Sequence, residues 1–217
     1  MRLERLDEPT RALVALAAVI ATGRKEAIES GCRAVIAAGT PARWVEEVLL
    51  QSVLMVGWPR ALVAAEVWRR VHGPAAEETA PAGGTGTARG GPDADYDRHA
   101  EWRERGEAIC RLIYGPNYAR LRENVRALHP ALDGWMVTEG YGRTIGREGL
   151  DLARRELCIV AQVAVLGAER QLHSHLRGAG NAGAGAAAID EALGAAAECS
   201  GGEEKELASA LWRRVRA

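Results

Sequence analysis

Apolar residues recur at helical spacing through most of this chain. Residues 10–22 and 154–166 are apolar with this spacing, and each stretch stops at a glycine, Gly23 or Gly167, where a helix C-cap is expected. A second amphipathic stretch follows each glycine after a reversal of the chain, so the pattern predicts helical hairpins. Phenylalanine is absent and Ala, Leu and Val dominate the apolar residues, which favours close-packed helices over a sheet. The predicted fold class is all-α.

The two hairpins belong to a longer internal duplication. Residues 6–71 align without gaps with residues 150–215 at a constant offset of 144, and the run Trp-Arg-Arg-Val recurs at 68–71 and 212–215. Composition explains the matching alanines, but it does not explain glycines and a tryptophan in register. The chain therefore carries two copies of one helical unit. Units this small cannot bury a large core alone, so we expect them to pack on each other.

The repeat divides the chain into four regions. The first copy occupies 1–72 and the second 150–217. Residues 73–95 are rich in Gly, Ala, Pro and Thr without apolar periodicity, which predicts a flexible linker. Residues 96–149 resume helical spacing, and we expect them to form a helical segment that bridges the two copies.

Several helix boundaries follow from local signals. Thr40 and Pro41 are expected to open the third helix of the first copy as an N-cap and a first-turn proline. The second copy has Ala184 and Gly185 there, a weaker start. In the bridging segment, helices are expected to end at Tyr114, to run over about 118–128 and to run near 132–141, before Gly142.

Charge and cysteine content restrict the kinds of partner. Lys and Arg total 28 against 29 Asp and Glu, so no global field would recruit nucleic acid or an anionic membrane, and a small-molecule substrate is expected. No apolar run reaches the length of a membrane span. The apolar stretch at 12–21 resembles a signal peptide, but its counterpart at 156–165 lies inside the chain, so we interpret it as a folded helix. The four cysteines form no CxxC or zinc pattern, which favours a reducing cytoplasm and predicts no metal site.

One pair of residues on the second hairpin could carry chemistry. Glu156 lies 11 residues before Gly167 and His175 lies 8 after it, so the two side chains stand about 16 and 12 Å above the turn on neighbouring antiparallel helices. His175 also belongs to the apolar face of its helix and should point inward. A buried imidazole beside a carboxylate is a general acid/base pair, although a core histidine with a structural carboxylate partner would look the same. The first copy has Ala12 and Gly31 at these positions, which favours a site over a packing need.

Other polar residues of the second hairpin allow two interpretations. His173 lies two residues from His175, on a different face, and is expected at the surface or at the rim of a site. Arg154, Arg155 and Arg177 could hold a substrate carboxylate or form ion pairs on the helix surface. Cys158 is expected to be a small core residue rather than a reactive thiol.

The chain resembles the carboxymuconolactone decarboxylase and alkylhydroperoxidase D superfamily, and specifically its double-domain members. The resemblance in the second copy rests on Leu150-Asp151, Arg155-Glu156-Leu157, Gly167, Gln171-Leu172, His175, Gly183 and Asp190-Glu191. In the first copy it rests on Gly39-Thr40, Glu46-Glu47-Val48, Gln51 and Val56-Gly57-Trp58-Pro59, and between the copies on Arg105-Gly106, Tyr114-Gly115, Tyr141-Gly142 and Arg147.

This resemblance implies an all-helical fold, assembly as a trimer or hexamer, and a site without a cofactor. The peroxidase branch uses a glutamate, a CxxC pair and a histidine, and here the cysteine positions fall on Ala168 and Gln171. The decarboxylase branch keeps the histidine without the cysteines, as this chain does. The resemblance therefore implies an acid/base lyase or isomerase-type reaction on a small carboxylated lactone. His175 and Glu156 would be catalytic, Arg155 or Arg147 would bind the substrate carboxylate, and His173 is also expected to bind the substrate.

Two alternatives stay open at this point. The chain could be a peroxidase-related redox protein that uses single cysteines, or a non-catalytic oligomeric module. An open pocket that both Glu156 and His175 face would favour chemistry, whereas a sealed core would favour a structural role.

Overall fold

A computed structural model describes residues 2–74 and 98–217 of the chain. The predicted linker, 73–95, lies outside the described residues from residue 75 onward. The described residues are helical and contain no β-strand, which confirms the predicted all-α fold; one isolated parallel bridge joins Leu3 and Ala184. In chain order the α-helices are α1 (Glu8–Thr22), α2 (Lys25–Ala37), α3 (Ala42–His72), α4 (His99–Tyr114), α5 (Tyr118–Leu128), α6 (Pro130–Trp135), α7 (Leu152–Val165), α8 (Glu169–Asn181), α9 (Ala186–Ala197) and α10 (Gly202–Arg216). A π-helix, Met136–Ile145, follows α6.

The hairpins recur at the predicted offset. The α1–α2 hairpin and the α7–α8 hairpin begin with the same cap: Asp7 accepts a hydrogen bond from the backbone N–H of Thr10 at 2.9 Å, and Asp151 accepts one from Arg154 at 3.1 Å. Their turns use Gly23 and Gly167, whose φ angles of 71° and 62° are left-handed conformations that glycine adopts without a steric penalty.

The two copies pack on each other through α1 and α7. Both helices are buried along most of their length, and their apolar side chains form one continuous core that α2, α3, α8 and α9 complete. Because α1 and α7 are equivalent helices, the copies are related by an approximate two-fold axis that passes between them. The second hairpin is therefore enclosed by helices on several sides.

The third helices differ from the sequence prediction. Thr40 does not cap α3; its hydroxyl donates to the carbonyl of Pro9 at 3.0 Å, and Pro41 is the residue that precedes the helix. Gly57, with φ 74° and ψ 165°, bends α3 into two segments. In the second copy, α9 and α10 occupy the positions of these segments, so the weaker start predicted there does form a helix.

The bridging segment forms a layer of α4 and the π-helix. The two helices touch at glycines: a Cβ on Gly106 would lie 2.0 Å from the carbonyl oxygen of Val137, and one on Gly142 would lie 1.9 Å from that of Trp102. The predicted helix end at Gly142 is therefore wrong, since Gly142 lies inside the π-helix and permits close approach. This layer lies over α8 through α4.

α3 is also long and apolar enough to cross a membrane by length and composition, although the sequence analysis expected no such run. One face of this helix belongs to the core, since Val45, Val48, Ala64 and Val67 are fully buried. The core helices of soluble proteins share this length and composition.

Candidate functional site

The structure brings Glu156 and His175 together. Glu156 projects from α7 and His175 from α8, and Nδ1 of His175 lies 2.8 Å from Oε2 of Glu156. Glu156 is fully buried and His175 is 5% exposed. The hairpin geometry explains the contact, because the two residues stand at similar heights above the Gly167 turn.

The second carboxylate oxygen of Glu156 has no partner. Oε1 is buried and accepts no hydrogen bond from any described residue. An unpaired polar atom in the interior is costly, and most buried polar atoms in folded proteins are paired. Glu156 therefore offers an unused acceptor beside the imidazole.

The helices around Glu156 approach it closely at Gly178 of α8. A Cβ on Gly178 would lie 2.8 Å from Oε2 of Glu156 and 2.8 Å from Cγ2 of Ile113 on α4. α4 is also tied to α8 by Asn181, whose amide donates to the carbonyl of Ile113 at 2.7 Å. The end of α4 thus covers the carboxylate.

Two tyrosines of the bridging layer belong to the same buried region. The hydroxyls of Tyr114 and Tyr141 lie 2.5 Å apart, and the rings meet edge to face. Burial is the largest cause that raises the pKa of both hydroxyls, and the negative charge of Glu156 raises both further. One O–H is used between the two tyrosines, so the other is available as a donor.

The site is closed in this conformation. Two surface clefts of the described chain lie away from the pair: one runs between the ends of α1 and α7 and the loop before α10, beside Arg60 and Cys199, and the other lies on the outer face of α10. Nε2 of His175 has no hydrogen-bond partner among the described residues, and 7% of the side chain is exposed. Burial of both side chains therefore leaves little of the pair open to solvent.

The predicted substrate-binding arginines do not lie at this pair. Arg155 is 1% exposed and points from α7 toward α3, where it donates to Oε2 of Glu47 at 2.8 Å and to the side chain of Gln51 at 3.3 Å. Arg147 donates to the same carboxylate of Glu47 at 3.1 Å. Burial lowers the pKa of Arg155, and Glu47 opposes that change. An internal carboxylate therefore binds the guanidinium of Arg155 in this structure, and a role of Arg155 or Arg147 in binding a substrate carboxylate stays a prediction.

An equivalent ion pair crosses between the copies in the opposite direction. Arg11 corresponds to Arg155 and Glu191 to Glu47, and Arg11 donates to Oε2 of Glu191 at 2.7 Å. Each copy thus supplies the arginine for the other copy's glutamate, although the Arg11 pair lies nearer the surface.

His173 is half-buried on α8, outside the contact between Glu156 and His175. Its predicted position at the surface or at the rim of a site agrees with this exposure. Its role in binding a substrate stays a prediction.

The first copy packs its hairpin helices closely at the position of His175. A Cβ on Gly31 would lie 3.0 Å from Cδ1 of Leu16 and 3.1 Å from Cγ2 of Val19, so α2 packs on α1 where α8 carries His175. Ala12 stands in the position of Glu156. Each chain therefore contains one such pair.

Burial raises the pKa of the cysteine thiols of this chain. All four are free, and three are fully buried. Burial raises the pKa of Cys158 and of Cys110 to about 12 and that of Cys32 to about 11, and it also raises the pKa of Cys199. Within the described parts of the chain, no three His, Cys, Asp or Glu side chains are grouped to hold a metal ion.

Sequence reasoning missed Tyr114 and Tyr141 as neighbours of the pair. They lie in the bridging segment, outside the repeat, so the comparison of copies could not reveal them. Each tyrosine does precede a glycine, at Gly115 and Gly142, but this local signal does not say that the hydroxyls meet.

The chain matches a known protein family. The sequence model of the carboxymuconolactone decarboxylase family matches residues 1–70 and 130–214, which is more than half of the chain. The second matched stretch begins at α6 and includes the π-helix, both hairpin helices that carry Glu156 and His175, and most of α10. A comparison with curated proteins finds no match.

Proposed function

Because the chain belongs to the carboxymuconolactone decarboxylase family, we propose that it is an acid/base enzyme of lyase or isomerase type that acts on a small carboxylated lactone. In this proposal His175 transfers a proton to or from the substrate. The carboxylate of Glu156 orients the imidazole and stabilises its protonated form.

The unpartnered Oε1 of Glu156 carries the proposal. A carboxylate kept only to satisfy a core histidine would be expected to have both oxygens paired, because the unpaired one costs stability. In an acid/base site, by contrast, the bound substrate donates the hydrogen bond that this unpaired oxygen lacks. The absence of the pair from the first copy adds support, since that copy folds with Ala12 and Gly31.

The chemical step needs few groups. For decarboxylation, the bond between the ring carbon and its carboxylate breaks, CO2 leaves, and the electron pair is delocalised into the conjugated lactone carbonyl. The carbon then takes a proton from the His175 imidazolium, and solvent returns that proton to the histidine. In an isomerisation, His175 would remove a proton from one ring carbon and return it to another, without loss of CO2.

Substrate binding in this proposal requires α4 to separate from α8, because the end of α4 covers Glu156. The free hydroxyl proton of the Tyr114 and Tyr141 pair would then face the opened space as a donor. His173 remains the predicted substrate-binding residue nearest to His175 along α8.

The test uses γ-carboxymuconolactone and related carboxylated lactones, with CO2 release and the ultraviolet absorbance of the conjugated lactone as readouts. His175→Asn and Glu156→Gln are each expected to lower kcat/KM by about 10²-fold or more, the range found for general acid/base groups. His129→Asn, an exposed control that keeps a capping side chain before α6, should retain the wild-type rate. Equal rates in all variants, with circular dichroism unchanged, would refute the assignment.

A non-catalytic module is the second candidate, and the closed site favours it. Glu156 is fully buried and His175 nearly so, as a structural pair would be. In that case wild-type protein would turn over none of the lactones, and His175→Asn would lower the free energy of unfolding without any other effect.

A further inference from the structure

A lactone that reacts at the acid/base pair would need a hydrogen-bond donor at its carbonyl oxygen. In the proposed function, on which this inference rests, decarboxylation and isomerisation both place negative charge on that oxygen. A donor already in position at such an oxygen is among the largest contributions to catalysis. His175 exchanges its proton with carbon, so the stabilisation of the oxygen falls to another group.

Several strong donors of the second copy are already bound to acceptors of the chain. Arg155 and Arg147 both donate to the carboxylate of Glu47. The amide of Asn181 donates to the carbonyl of Ile113 at 2.7 Å.

The tyrosine pair of the bridging layer has a donor to spare. The hydroxyls of Tyr114 and Tyr141 lie 2.5 Å apart, so one O–H is donated within the pair, and the other O–H has no acceptor among the described residues. Burial raises the pKa of both hydroxyls, so both stay protonated at neutral pH. A hydroxyl that accepts one hydrogen bond is also a stronger donor of the next.

Tyr114 lies on the face of α4 that covers Glu156. Cys110, Ile113 and Tyr114 are spaced at i, i+3 and i+4 and therefore share one face of the helix. A Cβ on Gly178 would lie 2.8 Å from Ile113 and 2.8 Å from Glu156, which directs this face toward the carboxylate. The negative charge of Glu156 accordingly contributes to the raised pKa of both tyrosines.

The tyrosine pair and the acid/base pair each occur once in the chain. The layer of α4 and the π-helix lies outside the repeat, and it packs on α8, the helix that carries His175. A donor that serves the chemistry is expected beside the copy that holds the acid/base residues, and this layer supplies one there.

We propose that Tyr114 donates a hydrogen bond to the lactone carbonyl oxygen as that oxygen becomes an enolate, and that Tyr141 positions Tyr114 by donating to its hydroxyl. In decarboxylation, the electron pair of the broken bond to CO2 moves through the conjugated ring onto this oxygen. The proton of Tyr114 stays on the tyrosine. The electron pair returns to carbon when the His175 imidazolium protonates it.

Turnover of γ-carboxymuconolactone is the first measurement. Tyr114→Phe keeps the ring and removes only the hydroxyl, so we expect kcat to fall by about 10²-fold with KM nearly unchanged, as for other oxyanion donors. Tyr141→Phe should lower kcat by about 10-fold, and the double variant should resemble Tyr114→Phe, because the two hydroxyls act as a unit. As a control, Tyr118→Phe removes a hydroxyl of α5 that accepts from Arg122 at 2.8 Å, and it should retain the wild-type kcat.

Binding of a stable oxyanion separates this inference from the proposed function. The probe is 5-hydroxy-2-nitrobenzoate, a ring carboxylate whose phenolate resembles the enolate and absorbs visible light. Tyr114→Phe should raise the Kd of the phenolate by about 10-fold or more, with circular dichroism unchanged. The related 2-nitrobenzoate lacks the oxyanion and should bind wild-type protein and Tyr114→Phe equally.

The two assignments can fail separately. If wild-type protein turns over the lactone and Tyr114→Phe has the same kcat, the role of Tyr114 is overturned while that of His175 stands. An equal Kd of the phenolate for wild-type protein and Tyr114→Phe, or no binding to either, would overturn it as well. If wild-type protein turns over no lactone but binds the phenolate more tightly than Tyr114→Phe does, the proposed reaction is refuted and Tyr114 is supported as an oxyanion donor.

Discussion

Nε of Arg154 donates a hydrogen bond to Oγ1 of Thr10 at 2.8 Å, although the two residues are 144 positions apart and occupy the same place in the two copies. Residues at equivalent positions can touch only where the axis that relates the copies passes between them. This contact therefore lies on the axis. The two residues that form it differ, since one copy has arginine at this position and the other has threonine. Arg154 also donates to Asp151 at 2.6 Å and to Asp7 at 3.2 Å, the caps of α7 and α1.

Removing this arginine should weaken the contact between the copies. Arg154→Met leaves a buried chain of similar length but no donor for Thr10, Asp7 or Asp151, so we expect the free energy of unfolding to fall by about 2–3 kcal/mol in urea denaturation. Thr10→Val should cost about 1 kcal/mol, because one hydrogen bond is lost and Arg154 keeps its carboxylates. Arg177→Met, at an exposed position of α8, should change stability by less than about 0.5 kcal/mol. If Arg154→Met and Arg177→Met lower the free energy of unfolding equally, the hydrogen bonds of Arg154 between the two copies do not stabilise the fold.

A methyl group at Gly178 should disturb the acid/base pair. The added Cβ would lie 2.8 Å from Oε2 of Glu156 and 2.8 Å from Cγ2 of Ile113, so either the carboxylate leaves His175 or α8 moves away from α4. We expect Gly178→Ala to cost about 1–3 kcal/mol of stability and to lower turnover of γ-carboxymuconolactone. Gly180→Ala on the same helix meets no atom within 4 Å and should stabilise by about 0.5–1 kcal/mol. Equal effects of the two alanines would contradict the close contact at Gly178.

The first copy should reject the acid/base pair. In Gly31→His the new Cβ would meet Leu16 and Val19 at 3.0 and 3.1 Å, so we expect a loss of about 1–3 kcal/mol measured by thermal and urea denaturation. Ser30→His, one position earlier on an exposed face, should cost less than about 0.5 kcal/mol. Adding Ala12→Glu to Gly31→His should not restore turnover to a Glu156→Gln chain. Restored turnover would show that the first hairpin can also form the site.

The α5–α6 region should lose stability in acid. Asp133 is buried and accepts from Arg122 at 2.9 Å and from Arg126 at 2.7 Å, and the hydrogen bonds of Arg122 are the main cause that lowers the pKa of its carboxyl. Because the folded pKa lies below the unfolded one, the stabilisation is present above the usual carboxyl range and is lost as pH falls toward the folded value.

This predicts progressive loss of stability below about pH 5, measurable by hydrogen exchange of α5 and α6. Asp133→Asn should remove most of that pH dependence and cost about 1–3 kcal/mol at neutral pH. Glu123→Gln, an exposed change on α5, should leave the acid profile of the wild type intact. An unchanged profile in Asp133→Asn would assign the acid sensitivity to another group.

Thiol reagents should distinguish Cys199 from the other cysteines. Cys199 is partly exposed, whereas the other three are buried and their pKa is raised by burial. In native protein at mildly alkaline pH, we expect a chromogenic disulfide reagent to modify one thiol of the four slowly, and Cys199→Ser to abolish the reaction. Rapid labelling of Cys158 in native protein would reopen the peroxidase alternative.

Local rules predicted the hairpins and the acid/base contact. Asp7 and Asp151 cap their helices and Gly23 and Gly167 end them because these roles depend only on neighbouring backbone atoms. The contact between Glu156 and His175 followed from helical rise above a short turn, which is also local geometry.

Contacts between distant segments could not be predicted in this way. Glu47 binds Arg155, which lies 108 residues away, and no local pattern around Glu47 indicates that partner. Glu46 and Asp190 instead accept from the indole N–H groups of Trp68 and Trp212, at 2.7 and 2.5 Å. That pairing did leave a signal, since an acidic residue precedes the tryptophan by 22 positions in both copies.

The crossed ion pairs, Arg155 with Glu47 and Arg11 with Glu191, bear on how this chain arose. In a single-copy ancestor each arginine would have found its glutamate on another polypeptide, so the folded state would have depended on protein concentration. Joining the copies in one chain replaces that association by an intramolecular step at a high effective concentration. A joined chain also allows its two hairpins to differ, as they do at Ala12 and Glu156 and at Gly31 and His175, because neither copy has to serve both places in a symmetric dimer.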